Sequence, residues 1–167
     1  MRIYLIGYMY SGKTTVGHQL ARQLGYDFVD LDQLFEAKYK TSIPIFFQRY
    51  GEAAFRQLER QMLHSTADLD NAVISTGGGT PCHFDNMQWI LQHGTSVYLD
   101  TTLDTILFRA ANSRKQRPIL ADKTDEERRL FISQQLSQRS PYYAQANITF
   151  SPDQQTIAEL TAKLNIG

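Results

Sequence analysis

The sequence has little cysteine, no excess of charge of either sign and no long apolar run. Cys82 is the single cysteine among 167 residues, so an intramolecular disulfide is excluded. Lysine and arginine together number 17, as do aspartate and glutamate, which argues against a general attraction to nucleic acid or anionic membranes. No stretch approaches the roughly 20 apolar residues that span a bilayer, and the run at residues 3–6 is too short for a signal peptide. We therefore expect a soluble, cytoplasmic protein without nucleic-acid or membrane partners.

Short apolar runs rich in β-formers alternate with longer amphipathic segments. The predicted strands are residues 2–6, 27–30, 72–75, 96–99 and 148–150. The predicted helices are residues 13–24, 52–67, 84–92, 102–111, 124–139 and 152–164. This alternation predicts an α/β fold with a parallel sheet, right-handed crossovers and helices on both faces. The length fits one domain, which we expect to cover residues 1–167.

Two segments interrupt this alternation. Residues 31–67 contain two or three helical stretches and no strand, which predicts an inserted helical subdomain that carries substrate. Phe46 and Phe47 are expected in its core, although one of them could line a small-molecule pocket. Residues 112–129 are dense in charge and begin as a surface loop. Thr124 and Glu127 then predict a capping box for the next helix.

The stretch GYMYSGKTTVG, residues 7–17, satisfies the phosphate-binding pattern Gly7-x-x-x-x-Gly12-Lys13-Thr14 between a predicted strand and a predicted helix. Its glycines let backbone amides turn toward a polyphosphate, and the following helix presents its positive dipole end to the same anion. Lys13 can reach the β- and γ-phosphates, and the hydroxyl of Thr14 can ligate Mg²⁺. The alternative is a glycine-rich turn with no ligand.

Two aspartates, Asp30 and Asp32, stand at the carboxyl end of the second predicted strand. In open parallel sheets ligands lie outside the carboxyl ends of the strands, which is also where the phosphate-binding pattern falls. Asp30 could hold the metal or its waters, and Asp32 could orient and deprotonate an alcohol acceptor. The alternative is that one of them, Asp32 for example, simply caps a helix that begins near Gln33.

Three successive glycines end the motif STGGG, residues 75–79, directly after the third predicted strand. They allow the main chain to approach a ligand closely, and Ser75 or Thr76 could add a hydroxyl to the metal's water shell. The alternative is an isolated turn.

Arginine occurs at three places of interest: Arg56, Arg117 and Arg139. The planar guanidinium grips a carboxylate or phosphate with two parallel hydrogen bonds. Glu59 follows Arg56 at helical spacing and could hold it in place. Taken alone, each arginine is more readily a solvated surface residue.

Together and in order, these motifs resemble the shikimate kinases. The matching stretches are GYMYSGKTTVG, FVDLDQLFE, SIPIFFQRYGEAAFRQLE, VISTGGG, RPIL and QRSPYY. The resemblance implies a small monomeric P-loop kinase with three α/β/α layers and a five-stranded parallel sheet in the order 2-3-1-4-5. It also implies transfer of the γ-phosphoryl group of ATP, with Mg²⁺, to the 3-hydroxyl of shikimate, on the route to chorismate and the aromatic amino acids.

The same resemblance assigns roles to individual residues. The implied nucleotide contacts are Gly7, Ser11, Gly12, Lys13, Thr14, Thr15, Arg109, Arg117 and Pro152. The implied shikimate contacts are Asp32, Arg56, Gly78, Gly79 and Arg139, and the implied metal neighbours are Thr14 and Asp30. Lys13, Asp32 and Arg117 are the implied catalytic residues, with Asp32 as the base and Arg117 in a lid over residues 112–124.

The sequence departs from the family's pattern at three positions. Tyr10 stands where the phosphate loop usually has glycine, Pro44 enters the substrate subdomain early, and Ile119 replaces a more usual leucine. We expect altered loop flexibility rather than lost chemistry. The alternatives are a gluconate-type kinase of another small metabolite and a non-catalytic nucleotide-binding module.

Overall fold

A five-stranded parallel sheet is the centre of the molecule. The computed structural model describes residues 1–113 and 120–166. The strands are β1 Arg2–Ile6, β2 Asp27–Asp30, β3 Ala72–Ser75, β4 Thr95–Leu99 and β5 Ile148–Phe150. They pair in the order β2-β3-β1-β4-β5, and every pairing is parallel. The predicted strands and strand order are therefore confirmed, with β4 beginning one residue earlier than expected.

The helices cover both faces of this sheet. They are α1 Lys13–Leu24, α2 Leu31–Tyr39, α3 Ile43–Ser65, α4 Asn86–His93, α5 Leu103–Asn112, α6 Asp125–Tyr143 and α7 Ile157–Lys163. Short 3₁₀ helices occupy Thr66–Asp68 and Thr80–Cys82. None of the described helices is long and apolar enough to cross a membrane.

Alternate residues of β1 point into two separate cores, as the pleat of a strand requires. Ile3 and Leu5 pack with side chains of α1 and α7 on one face. Tyr4 and Ile6 pack with side chains of α3, α4 and α6 on the other face. The sheet is thus covered on both sides, which explains why β1 is apolar and buried from Ile3 to Ile6. The predicted three-layer α/β/α architecture is confirmed.

Several predicted helix boundaries were wrong. The predicted helix at 52–67 is the second half of α3, which begins at Ile43 and continues across Gly51 as a kink at φ 83° and ψ 168°. The predicted helix at 152–164 begins only at Ile157, because Thr156 caps it in a reciprocal capping box with Glu159. The predicted helix at 84–92 begins at Asn86, because Phe84 has a left-handed φ of 51°.

Helix α6 begins as predicted and ends later. Thr124 and Glu127 form the expected capping box, in which each side chain accepts a hydrogen bond from the other residue's backbone N–H. The predicted end at residue 139 was wrong, since α6 passes through Pro141 to Tyr143. The fully buried Tyr143 side chain packs into the core and holds this last turn on the sheet.

Helices α2 and α3 pack against each other around an aromatic cluster. Phe35 contacts Phe46 and Phe55, with ring centroids 5.1 Å apart in both pairs. Phe46 is therefore a core residue, as predicted. Pro44 lies in the first turn of α3 after the Ser42 cap, a position where its missing N–H costs no helical hydrogen bond.

Candidate active site

The predicted phosphate loop connects β1 to α1. Gly12 has φ 95° directly before the first residue of α1, which favours glycine there. Tyr10 has φ 64°, so a bulky side chain occupies a left-handed backbone position. Nζ of Lys13 donates to the carbonyl oxygens of Gly7, at 2.6 Å, and Tyr8, at 2.8 Å. The strand–loop–helix setting that gives the pattern its meaning is present.

A cavity of about 510 Å³ opens beside this loop at the carboxyl ends of the strands. It brings together most of the residues singled out from the sequence. These are Ser11, Gly12, Lys13, Thr14, Thr15, Asp30, Asp32, Arg56, Glu59, Ser75, Thr76, Gly78, Gly79 and Arg139. Phe47 was expected first in the core of the subdomain, and the alternative that one of the two phenylalanines lines a pocket applies to it.

A second cavity of about 540 Å³ lies on the other side of the same loop. Tyr10, Gly12 and Thr15 line both cavities, so the two spaces adjoin across the loop. Arg109 and Pro152 line the second cavity, and Nη1 of Arg109 donates to the carbonyl oxygen of Tyr10 at 2.8 Å. Arg109 and Pro152, two of the implied nucleotide contacts, therefore lie together beside the phosphate loop.

Asp30, the last residue of β2, and Asp32, in the first turn of α2, have different surroundings. Oδ1 of Asp30 accepts hydrogen bonds from the backbone N–H groups of Asp32, at 2.9 Å, and Gln33, at 3.2 Å. Asp30 is therefore the cap of α2, which confirms the alternative that one of the two aspartates caps this helix, and Asp32 lies in its first turn. Oδ1 of Asp32 would lie 3.2 Å from a Cβ atom placed on Gly77, so this carboxylate faces the triple-glycine motif.

The triple-glycine motif lies between two guanidinium groups. A Cβ atom on Gly79 would lie 2.7 Å from Nη2 of Arg56, and one on Gly78 would lie 3.1 Å from Nη1 of Arg139. The absence of side chains is what allows both arginines to approach the main chain here. A carboxylate in the cavity would therefore meet two cations on neighbouring sides.

Buried hydrogen bonds hold this arrangement. Glu59, 5% exposed, accepts from Nη1 of Arg56 at 2.9 Å and from Oγ1 of Thr80 at 2.9 Å. The expectation that Glu59 holds Arg56 is confirmed. The hydroxyl of Tyr143 donates to the carbonyl oxygen of Gly78 at 2.5 Å, and burial raises the pKa of this phenol well above its ordinary value.

The sequence did not identify three side chains that shape the site: Tyr8, Gln135 and Tyr143. Gln135 lines the first cavity and accepts a hydrogen bond from the hydroxyl of Tyr8. Helical spacing offered one signal, since Gln135, Arg139 and Tyr143 recur every four residues along α6 and share one helix face.

The residues present fit a magnesium ion held largely by its substrate. Thr14 and Asp30 line the same cavity and offer one hydroxyl and one carboxylate. Within the described residues no group of three or more His, Cys, Asp or Glu side chains could hold a metal ion. Mg²⁺ in phosphoryl-transfer sites uses one or two protein oxygens together with phosphates and water, so this sparse set suits it.

Arg117 lies outside the described residues, and so do the other residues from 114 to 119 within the predicted lid at 112–124. From residue 120 onward the chain is again described and leads into α6.

A model of the shikimate kinase family matches residues 9–165. The chain is 43% identical to a shikimate kinase of Parabacteroides distasonis, over 91% of this chain and 88% of that protein. It is 45% identical to a shikimate kinase of Bacteroides thetaiotaomicron, over 92% of this chain and 88% of that protein.

Solved structures give the same result. A 1.7 Å crystal structure of shikimate kinase from Bacteroides thetaiotaomicron superposes with a TM-score of 0.89 at 42% identity, covering 98% of this chain and 94% of that one. Shikimate kinase from Acinetobacter baumannii in complex with shikimate gives a TM-score of 0.84 at 36% identity, covering 97% and 89%. A gluconokinase from Sinorhizobium meliloti, 15% identical with a TM-score of 0.59 over 98% of this chain and 88% of that one, shares the fold alone. The chain belongs to the shikimate kinase family.

Proposed function

We propose that this protein transfers the γ-phosphoryl group of ATP to the 3-hydroxyl of shikimate, giving shikimate 3-phosphate and ADP for chorismate and aromatic amino acid biosynthesis. One observation carries the proposal: a single cavity joins Lys13 of the phosphate loop to Asp32, Arg56 and Arg139. The proposal includes Mg²⁺ as the cofactor and a monomer in the cytoplasm as the working form.

The acceptor is a carboxylated cyclic alcohol, and each of its groups has a counterpart in the cavity. Arg56 and Arg139, on two sides of the glycine motif, bind the carboxylate through charge-assisted hydrogen bonds. Gly78 and Gly79 leave room for the ring. Asp32 accepts a hydrogen bond from the hydroxyl that will be phosphorylated. Helices α2 and α3, within residues 31–67, act as the substrate-binding subdomain.

ATP occupies the space on both sides of the phosphate loop. Its base lies in the second cavity near Arg109 and Pro152, and its phosphates meet Gly7, Ser11, Gly12, Lys13, Thr14 and Thr15. The start of α1 presents its backbone N–H groups and a positive dipole end to these anions.

The chemistry requires mostly positioning and charge stabilisation. Asp32 accepts the proton of the acceptor hydroxyl while the hydroxyl oxygen forms a bond to the γ-phosphorus. The bond between the γ-phosphorus and the β–γ bridging oxygen breaks, which releases ADP. Lys13 stabilises charge on the transferred group. When bound near Thr14 and Asp30, Mg²⁺ neutralises charge on the β- and γ-phosphates. Arg117, in a lid over residues 112–124, adds a further cation and excludes water.

A coupled assay for ADP release tests this proposal. ATP and Mg²⁺ are offered with shikimate, gluconate or nucleoside monophosphates, and we expect turnover with shikimate alone. A preference for another acceptor would contradict the assignment. Shikimate binding in calorimetry without turnover would favour a non-catalytic module instead.

Substitution of Asp32 tests the mechanism. Asp32→Ala should abolish turnover while ATP binding persists. The matched control is Asp27→Ala, which removes an exposed aspartate from the amino end of β2, the strand that precedes Asp32, and should leave activity intact. Near-normal turnover by the Asp32 variant would remove this residue from its assigned role.

A further inference from the structure

Tyr8 is the second residue of the phosphate loop, and its side chain leaves the loop to enter a core. The side chain is 1% exposed. It packs with Ile106, Ala110, Leu120 and Ile132, which lie on α5, on α6 and between them. An aromatic ring at this place thus connects the phosphate loop to α6, the helix that carries Arg139.

Three polar contacts of Tyr8 reach the two halves of the active site. Its carbonyl oxygen accepts a hydrogen bond from Nζ of Lys13 at 2.8 Å. Its hydroxyl donates to Oε1 of Gln135. The guanidinium carbon of Arg139 lies 5.5 Å from the centroid of its ring, which is the geometry of a cation–π contact.

Gln135 and Arg139 are one helical turn apart on α6. Both line the cavity of about 510 Å³ that also contains Asp32 and Arg56, which we call the acceptor cavity. The hydroxyl of Tyr8 donates a hydrogen bond to Gln135, and the face of the Tyr8 ring contacts the guanidinium of Arg139. Burial raises the pKa of Tyr8 to about 12, so the hydroxyl stays protonated and continues to donate at physiological pH. The Tyr8 ring is therefore one of the contacts that position Arg139.

We propose that Tyr8 is a positioning residue that couples nucleotide binding to acceptor binding. This rests on the proposed function, in which Lys13 meets the phosphates and Arg139 meets the acceptor carboxylate. A bound polyphosphate attracts the same ammonium group that contacts the Tyr8 carbonyl, so nucleotide changes the forces on this backbone segment. Because the ring belongs to the same residue, the change reaches Arg139. By linkage, a bound acceptor must affect nucleotide affinity equally.

Calorimetry of shikimate binding, with and without saturating ADP and Mg²⁺, measures this coupling. The wild-type protein should bind shikimate roughly fivefold or more tightly when nucleotide is present. Tyr8→Leu removes the ring and the hydroxyl but keeps the backbone carbonyl, and should bring the ratio close to one. It should also raise the KM for shikimate up to about tenfold. By the same linkage, the KM for ATP at saturating shikimate should rise by the coupling factor that is lost, while ADP binding without shikimate stays unchanged.

Two further variants separate the ring from its surroundings. Tyr8→Phe keeps the ring face and should retain most of the coupling. Ile132→Ala opens the same buried cluster and lines neither cavity, so it should lower the melting temperature without changing the ratio. Tyr8→Met, a flexible side chain that fills irregular core space, replaces Tyr8→Leu if the latter does not fold.

Three outcomes would overturn the proposal: no coupling in the wild-type protein, full coupling in the leucine or methionine variant, or equal loss of coupling in Ile132→Ala. Wild-type turnover with shikimate is measured first. If it is absent, the proposed function itself fails. If it is present while the ring-free variants stay coupled, only the role of Tyr8 is lost.

Discussion

Arg56 and Glu59 form an ion pair at the wall of the acceptor cavity, with Nη1 of the arginine 2.9 Å from Oε1 of the glutamate. A second carboxylate, Glu52, lies 3.4 Å from Nε of the same guanidinium. The two acidic partners differ in environment, since Glu59 is 5% exposed and the Glu52 side chain is 59% exposed. The guanidinium is thus oriented from the protein interior, and its remaining surface faces the cavity.

Glu59→Gln should be far more damaging than Glu52→Gln. The first substitution leaves a largely buried guanidinium without its charged partner, which costs about 3 kcal/mol of unfolding free energy. It should also raise the KM for shikimate about tenfold, because Arg56 is no longer oriented. Glu52→Gln removes an exposed partner of Arg56 and should lower the free energy of unfolding by less than about 1 kcal/mol. Urea denaturation and steady-state kinetics measure both effects, and equal losses in the two variants would contradict this reasoning.

Gly79→Ala should weaken acceptor binding without unfolding the protein. The backbone φ of Gly79 is −91°, which alanine adopts readily, but the new methyl group would lie 2.7 Å from Nη2 of Arg56. The guanidinium must shift, so the KM for shikimate should rise about tenfold while the KM for ATP stays constant.

The control for this variant is Gly25→Ala at the end of α1. That glycine has φ 67° and open space around its Cα, so alanine there should lower stability by about 1 kcal/mol and leave both KM values unchanged. A constant KM for shikimate in Gly79→Ala would show that Arg56 tolerates the displacement.

Tyr10 offers a measurement of backbone strain inside the phosphate loop. Its φ of 64° is unfavourable for any residue with a Cβ atom. Tyr10→Ala and Tyr10→Gly both remove the ring, but only glycine relieves the left-handed strain. The glycine variant should therefore be about 1 kcal/mol more stable than the alanine variant, as read from urea denaturation. The reverse order would mean that the loop leaves this conformation when the ring is removed.

The sheet was predictable from the sequence because each strand is a short apolar run with polar or glycine-containing flanks. The phosphate loop and Asp30 were predictable for a related reason, since they follow strands whose carboxyl ends meet at one edge. Helix boundaries were less predictable. The capping box of Thr156 excluded residues 152–155 from α7, while α3 continues across Gly51 instead of beginning at residue 52.

The site residues that sequence reasoning missed are those that depend on the order of strands in space. Tyr8 and Gln135 are 127 positions apart along the chain, and no local pattern brings them together. They meet because β1 is central in the sheet and α6 packs over its carboxyl end, next to the phosphate loop. Tyr143 is similar, because its hydroxyl reaches Gly78 across 65 positions.

On the face of the sheet that α3 and α4 cover, His64 stacks on Trp89, with ring centroids 4.8 Å apart, and His93 stacks on the same indole at 4.0 Å. Within the described part of the chain, Nε2 of His64 is buried and has no hydrogen-bond partner. Burial lowers the pKa of His64, and the positive charges of Arg60 and His93 lower it further, while Asp85 opposes them.

This lowered pKa predicts a fall in stability in mild acid. The folded protein favours neutral His64, so the stabilisation is complete above the ordinary histidine pKa of about 6.5 and is lost as pH falls from there toward the lower folded value. His64→Phe keeps the ring against Trp89 but cannot titrate. Its melting temperature should therefore decrease less than that of the wild-type protein between pH 7.5 and 5.5. Fluorescence of the single tryptophan reports the transition, and parallel decreases in both proteins would assign the acid sensitivity to other groups.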